Sequence, residues 1–274
     1  MQLRAELHEK RESQGKGWAR VSHHVKFGTM PKLVLFLDDG GVLNDNAVRG
    51  RQWQQLVGEF FPSILGGTPQ AWSDANRVVA QQLWERHTQA LRGRRVDCDY
   101  QAFYRQYELA WLRGMCEFVR VQTPGEMESL KLARRASDYI TRRVRSACPG
   151  AIETVRELYT RGYELYTASG AHSSDLQGYL EGMGIRDCFI RLYGPDWINT
   201  LKEGREYYDR IFVHASVSPA DVLVIDDSPP AIQWAAEAGA RTIFVGFTTD
   251  GQCKADCMIP RLAELPGAIN RVGL

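Results

Sequence analysis

The sequence predicts an α/β fold, a Rossmann-like parallel sheet core flanked by helices, plus a smaller all-helical cap domain. Three observations predict it. Short, continuously apolar runs recur along the chain and stop at polar residues or glycine, which is how a strand buried on both faces reads. Segments of helical periodicity separate these runs, and strands alternating with helices specify a parallel sheet with right-handed crossovers. Between the first and second runs lies a long stretch of helical periodicity with no strand pattern, so an all-helical module is inserted after the first strand.

Residues 1–30 are polar and basic, and read either as an N-terminal extension that is disordered or as a stretch upstream of a true start at Met30. They contain no apolar core of a secretory signal. The core domain is expected at 31–50 and 148–274. Its first strand is Lys32 to Leu37, stopped by Asp38, Asp39, Gly40 and Gly41. Later strands are expected at Tyr163 to Ala168, Phe189 to Leu192, Val222 to Ile225 and Thr242 to Val245, with helices at Ala151 to Thr160, Ser174 to Met183, Glu203 to Ala215 and Pro230 to Ala238. The cap, 51–147, reads as four helices: Gln52 to Phe61, Ala71 to Leu91, Tyr100 to Arg120 and Glu126 to Arg145. Breaks at Pro62 to Pro69, Arg92 to Asp97 and Thr123 to Gly125 separate them. Trp72, Trp84, Tyr104, Tyr107 and Trp111 read as the core of that bundle. A module inserted there sits over the C-terminal edge of the sheet, where ligands bind in open α/β sheets.

Composition narrows the partners. A formal net charge of +1 over 274 residues supplies no global field toward nucleic acid or an anionic membrane. A substrate anion must therefore be attracted locally, and neither nucleic acid nor a membrane is an expected partner. The six cysteines, Cys98, Cys116, Cys148, Cys188, Cys253 and Cys257, show no CxxC spacing and no accompanying histidine pattern of a zinc site. Cys253 and Cys257 read as ordinary thiols in a C-terminal loop. No apolar run approaches the ~20 residues that span a bilayer, so a cytoplasmic location is expected.

The residues that carry chemistry stand at the ends of the apolar runs. Asp38 and Asp39 end the first; Ser169 and Gly170 end the second; Asp226 and Asp227 end the fourth, and Lys202 lies just before a helix. A carboxylate is already ionised at neutral pH, and as a nucleophile it divides one difficult displacement into two easier ones. It also offers a hard oxygen to Mg²⁺. Two adjacent carboxylates at the end of an apolar strand repel each other unless a cation compensates them.

In this order the segments resemble the four motifs of the haloacid dehalogenase-like (HAD) superfamily. Leu35-Phe36-Leu37-Asp38-Asp39-Gly40-Gly41-Val42-Leu43 is similar to the first motif, Gly162 to Gly170 to the second, Lys202 within Asn199 to Gly204 to the third, and Val222 to Ile232 to the fourth. The resemblance runs from Lys32 to Val245 and includes Cys148-Pro149-Gly150-Ala151 at the return from the cap. It implies that Asp38 is the nucleophile and that Ser169, with Thr167 as second choice, hydrogen-bonds the transferring phosphoryl group. Lys202 is implied to neutralise the clustered anions. Mg²⁺ is implied on Asp38, the backbone carbonyl of Gly40 and Asp227, with Asp226 a direct or water-mediated ligand. Asp39, Gly40 and Gly170 fall beside the substrate.

Two positions depart from the pattern. Ala231 stands where a further acidic residue often follows, which predicts a leaner metal site. Gly40 stands where most family phosphatases carry a second aspartate, the residue that protonates the leaving oxygen and later deprotonates water. Loss of such help typically costs ~10²–10⁴-fold and bears most on poor leaving groups. The leading expectation that the resemblance implies is a phosphatase of a small phosphorylated molecule with a good leaving group, or one in which Asp39, His172 or a cap residue supplies the acid. The alternatives are a carbon–halogen hydrolase, whose halide needs no proton, and a catalytically degenerate domain that binds a ligand or protein. Arg92, Arg94, Arg95, Arg134 and Arg135 of the cap are candidates to reach a substrate anion, although a solvated helix face accounts for most of them.

Overall fold

Val34–Leu37 (β1) is buried at every residue because strands flank it on both sides and helices cover both of its faces. It pairs in parallel with Glu164–Ala168 (β2) and Val222–Asp226 (β4), Leu37 lying opposite Thr167 and Ile225. Phe189–Tyr193 (β3), Arg241–Val245 (β5) and Cys257–Ile259 (β6) complete a six-stranded parallel sheet of order β3-β2-β1-β4-β5-β6. The chain winds outward from β1 in both directions, so the strand order switches between β1 and β4. A crevice opens at the carboxyl ends of strands that diverge in this way. The computed structural model describes residues 33–91, 99–247 and 253–271; the expected extension at 1–30, and Cys98, Arg92, Arg94 and Arg95, lie outside the described residues.

Alternate residues of β1 feed two cores. Leu35 and Leu37 pack with Leu165, Leu223 and Ile225 in a cluster that includes Val155 of Ala151–Thr160 (α6), Leu176 of Ser173–Met183 (α7) and Leu265 of Leu265–Ile269 (α11). Val34 and Phe36 pack with Tyr166 and Val224 against Ile211 of Arg205–Ala215 (α9) and Ala235 of Pro229–Glu237 (α10). Five strands were foreseeable from their apolar runs; β6, three residues long and only partly buried, was not. Cys257 therefore belongs to a strand and not to the expected loop. Pro195–Ile198 (α8) is a single turn between β3 and α9.

The insert comprises Asn46–Phe60 (α1), Pro62–Leu65 (α2), Pro69–Leu91 (α3), Tyr100–Val119 (α4) and Glu126–Thr141 (α5). Helix α1 starts six residues before the expected Gln52, because the Asp45 carboxylate accepts the backbone N–H groups of Ala47 (2.8 Å) and Val48 (2.9 Å) and caps it there. Trp72 and Trp111 are buried as expected, Trp72 stacking on Phe61 at 4.7 Å. Trp84 and Tyr107, 69% and 37% exposed, are not part of that core. The insert meets the sheet-bearing part through α5 and α7, where a β-carbon on Gly178 would overlap the Thr141 side chain; only glycine permits the approach. No helix among the described residues is long and apolar enough to cross a membrane.

Candidate active site

The backbone N–H of Asp38 donates to Ile225 O at 2.9 Å, one more rung of the β1–β4 ladder, and this sets Asp38 beside Asp226 at the switch point. Lys202, in the turn between α8 and α9, reaches both: its Nζ donates to Asp38 Oδ1 at 2.8 Å and to Asp226 Oδ2 at 2.6 Å. Asp226 is fully buried; its Oδ1 accepts the backbone N–H of Ser228 at 2.9 Å, and the Tyr208 hydroxyl donates to its Oδ2 at 3.4 Å. Asp227 is half-buried, and its carboxylate lies over Gly41. One carboxylate oxygen from each of Asp38, Asp226 and Asp227 falls within 4.8 Å of the others.

Charge in this cluster does not balance. Three carboxylates against one ammonium leave a formal charge of −2 among these four groups. Burial pushes Asp226 up to about 6, an effect that Lys202 offsets and Asp38 reinforces; burial and Asp38 together push Asp227 up to about 6. Burial works against the charge on Lys202 as well, yet Asp226 and Asp38 hold its pKa well above the usual lysine range. The ammonium is thus saturated while the acids remain under-compensated. A donor set of hard carboxylate oxygens with that surplus suits a divalent cation such as Mg²⁺. Among the described residues Asp38, Asp226 and Asp227 could hold it.

Ser169 ends β2 and is buried; its Oγ accepts the Ala171 N–H at 3.1 Å, and its carbonyl accepts the Tyr207 hydroxyl at 2.7 Å. Thr167, the second choice from sequence, donates its hydroxyl to Tyr193 O at 3.1 Å inside the sheet. Gly170 is exposed and adjoins Lys202, whose Cβ lies 4.0 Å from the place of a β-carbon there. Tyr207 and Tyr208 had no sequence signal beyond their helical spacing, although both are fully buried and brace Ser169 and Asp226.

Asp39 is turned into the protein. Its carboxylate accepts the Asn44 amide at 2.6 Å and pairs with Arg49, while Ser146 Oγ donates to Asn44 Oδ1 at 2.6 Å. Burial raises the Asp39 pKa, with Arg49 and Asn44 acting against it. Gly40 explains how Arg49 arrives: a β-carbon at residue 40 would lie 2.7 Å from Asn46 Oδ1 and 2.9 Å from Arg49 Nη2. Where the sequence pattern lacks a carboxylate, helix α1 thus brings an amide and a guanidinium. Neither was legible without the Asp45 cap that starts α1 at Asn46. His172 caps α7, its Nδ1 accepting the Ser174 N–H at 3.3 Å, and its ring stacks on Tyr104 at 4.3 Å. Arg134 is engaged by Glu108 at 3.2 Å.

Comparison with known proteins follows the same lines. The family model described as haloacid dehalogenase-like hydrolase matches residues 102–245, a span that contains Ser169, Lys202, Asp226 and Asp227. The bifunctional riboflavin kinase/FMN phosphatase of Arabidopsis thaliana is 28% identical over 98 residues, which are 35% of this chain and 26% of that protein. The chain thus spans about a quarter of the length of that relative. The HAD-hydrolase YfnB of Bacillus subtilis, bound to magnesium, superimposes with a TM-score of 0.58 at 17% identity, over 87% of this chain and 98% of that one. The L-2-haloacid dehalogenase of Xanthobacter autotrophicus gives 0.57 at 18% identity, over 88% and 99%. The 2-haloacid dehalogenase of Pseudomonas syringae pv. Tomato DC3000 gives 0.59 at 16%, over 87% and 98%. At these identities the structural likenesses concern the fold alone.

Proposed function

The chain belongs to the haloacid dehalogenase-like hydrolases, and we propose that it is a Mg²⁺-dependent phosphatase of a small phosphorylated metabolite, acting through an aspartyl-phosphate on Asp38. The observation that carries this reading is the uncompensated −2 charge of Asp38, Asp226 and Asp227 around Lys202. A phosphoryl dianion cannot approach such a cluster unless a cation is bound with it. Mg²⁺, held by Asp38 and Asp227 with Asp226 behind them, would supply that charge and orient a phosphoryl oxygen.

The remaining work falls to the chain's own side chains. Lys202 holds Asp38 by one oxygen, which leaves the other for attack on phosphorus, and offsets charge as the phosphoryl group transfers. Asp226, fixed by Ser228 and Tyr208, anchors the ammonium and does not attack. Ser169 stands at the adjacent strand end to hydrogen-bond the phosphoryl group, and Gly170 leaves space beside it. The bond from phosphorus to the leaving oxygen then breaks with its electron pair on that oxygen; water later attacks the phosphorus, the bond to the Asp38 oxygen breaks, and inorganic phosphate leaves with the water's proton as the carboxylate returns. At residue 40 no carboxylic acid meets it; Asn46 and Arg49 stand there, and a guanidinium stabilises an anion without surrendering a proton. Asp39 is held by Arg49 and Asn44, so it is not placed to act as the acid. The favoured substrates are therefore those whose leaving group departs as a stable anion, such as acyl and aryl phosphates. Helices α1–α5 serve as the cap that closes over them.

A carbon–halogen hydrolase is the second reading, because a halide leaves without a proton and the same Asn46 and Arg49 would suit it. The acidic surplus weighs against it, since a haloacid brings a carboxylate and no cation. A hydrolysis screen separates the two: acetyl phosphate, nitrophenyl phosphate, an alkyl phosphate and 2-chloropropionate, each with Mg²⁺ and with EDTA. Turnover of the first two only with Mg²⁺ supports the phosphatase; release of chloride that EDTA leaves unchanged sinks it.

A further inference from the structure

We infer that the helical insert carries, against the start of α7, a binding site for a small organic cation, an amine or quaternary ammonium. Two adjoining cavities occupy this region. One, of about 350 Å³, is walled by Trp53, Tyr104, Tyr107 and Trp111; the other, of about 390 Å³, extends toward His172. They share Tyr104, Glu108, Ser137 and Asp175 as a common wall. Each is of a size that small-ligand pockets reach.

The two indoles of the wall bring ring surface without spare donors. The Trp53 indole N–H is already donated to the Tyr179 hydroxyl at 2.6 Å, and that of Trp111 to Asn76 Oδ1 at 2.9 Å. Ring faces attract a cation, and most strongly where water is excluded. The charged groups of the wall then decide the sign of the occupant. Glu108 is matched by Arg134 at 3.2 Å, and Arg77, which lines the first cavity, lies 3.5 Å from Asp74. Asp196, which lines the second, accepts the Ser173 N–H at 2.9 Å. Asp175 meets the Tyr104 hydroxyl at 3.5 Å, the outer limit of a hydrogen bond. It lines both cavities and, among the described residues, forms no ion pair, Arg49 acting on it only at longer range. Burial and Glu108 push Asp175 up to about 7. A neutral ligand gains at most a hydrogen bond from that carboxylate and an anion is repelled by it; an ammonium group pairs with it while lying against the rings. The inference stands apart from the phosphatase reading, since neither cavity is walled by Asp38, Ser169, Lys202, Asp226 or Asp227.

The test is calorimetric binding to the full chain with three probes: choline, n-butylammonium and the neutral choline isostere 3,3-dimethylbutan-1-ol. At least one cation should bind in the millimolar range or tighter, and the alcohol about tenfold more weakly or worse. Asp175→Asn should lower cation affinity about tenfold, and Tyr107→Leu, at a half-exposed wall position, about threefold or more. Cation binding should also tighten from pH 6 to pH 8 in the parent, as Asp175 ionises among Glu108 and Tyr104 of α4, Arg134 of α5, Asp196 of α8, Arg49 of α1 and His172 at the start of its own helix. It should do so no longer in Asp175→Asn. No binding of either cation, equal binding of choline and the alcohol, or affinities untouched in both variants would each overturn the inference. If Asp175→Asn fails to fold, Tyr107→Leu and the isostere comparison decide.

Discussion

Asp227 lies over Gly41 so closely that a β-carbon built at residue 41 would overlap the Asp227 carboxylate. Gly41 also holds a φ of +85°, in the left-handed region where a β-carbon costs ~1–2 kcal/mol. Gly41→Ala should therefore do two things at once: lower the melting temperature and push Asp227 away from Asp38. Under the proposed chemistry the Mg²⁺ concentration for half-maximal activity rises. Metal titration beside thermal melts checks this, and a variant that melts lower with an unchanged Mg²⁺ requirement contradicts the assigned place of Asp227.

The buried Asp39 to Arg49 pair makes a second prediction. Removing one partner of such a pair strands the other, at a cost of ~3–5 kcal/mol, toward the lower end here because Arg49 remains partly exposed. Arg49→Met should be strongly destabilised, while Arg49→Met with Asp39→Asn should recover most of the loss, since asparagine can still accept from Asn44. Denaturant unfolding of the two singles and the double measures the coupling; additive losses would show that the pair does not act as one.

Replacing Gly40 by aspartate would test the leaving-group argument. The new side chain meets Asn46 Oδ1 and Arg49 Nη2, both flexible ends that have to yield. Gly40→Asp combined with Asn46→Ala should raise hydrolysis of alkyl phosphates relative to nitrophenyl phosphate by up to ~10²-fold, and Gly40→Asp alone by less. A parent protein that already hydrolyses both classes at equal rates defeats the argument.

Asp175 makes stability depend on pH. In the folded chain it keeps its proton up to about 7, chiefly through burial, against an ordinary value of 3.8. Between these values the folded state binds more protons than the unfolded one, so this group's contribution falls as pH rises from about 4 to 7 and then levels. Asp175→Asn should flatten that decline and should melt higher than the parent at pH 8. Parallel melting curves for parent and variant from pH 5 to pH 8 would contradict the assignment.

Much of this was legible in the sequence, and the reason is local. Strand β1 and the acidic ends of β1 and β4 declare themselves because a doubly buried strand must be apolar throughout and then stop. Three of the four remote segments that resemble family motifs meet directly, Lys202 touching both Asp38 and Asp226. What escaped depends on packing and not on pattern. Arg49 lies ahead of the helix expected from Gln52 and carries no signal until Asp45 fixes where α1 begins and Gly40 leaves room for it. Tyr207 and Tyr208 carry hydrogen bonds that no spacing announces. Strand β6 is too short and too exposed to show a buried-strand pattern.

The central claim is that Asp38 becomes covalently phosphorylated. Acid quenching during turnover of acetyl phosphate with Mg²⁺, followed by borohydride reduction and peptide mass spectrometry, tests it most directly. The account predicts reduction of residue 38 alone, absent in folded Asp38→Asn, which should also have lost turnover. Full turnover by Asp38→Asn, or a label on another carboxylate, would contradict it.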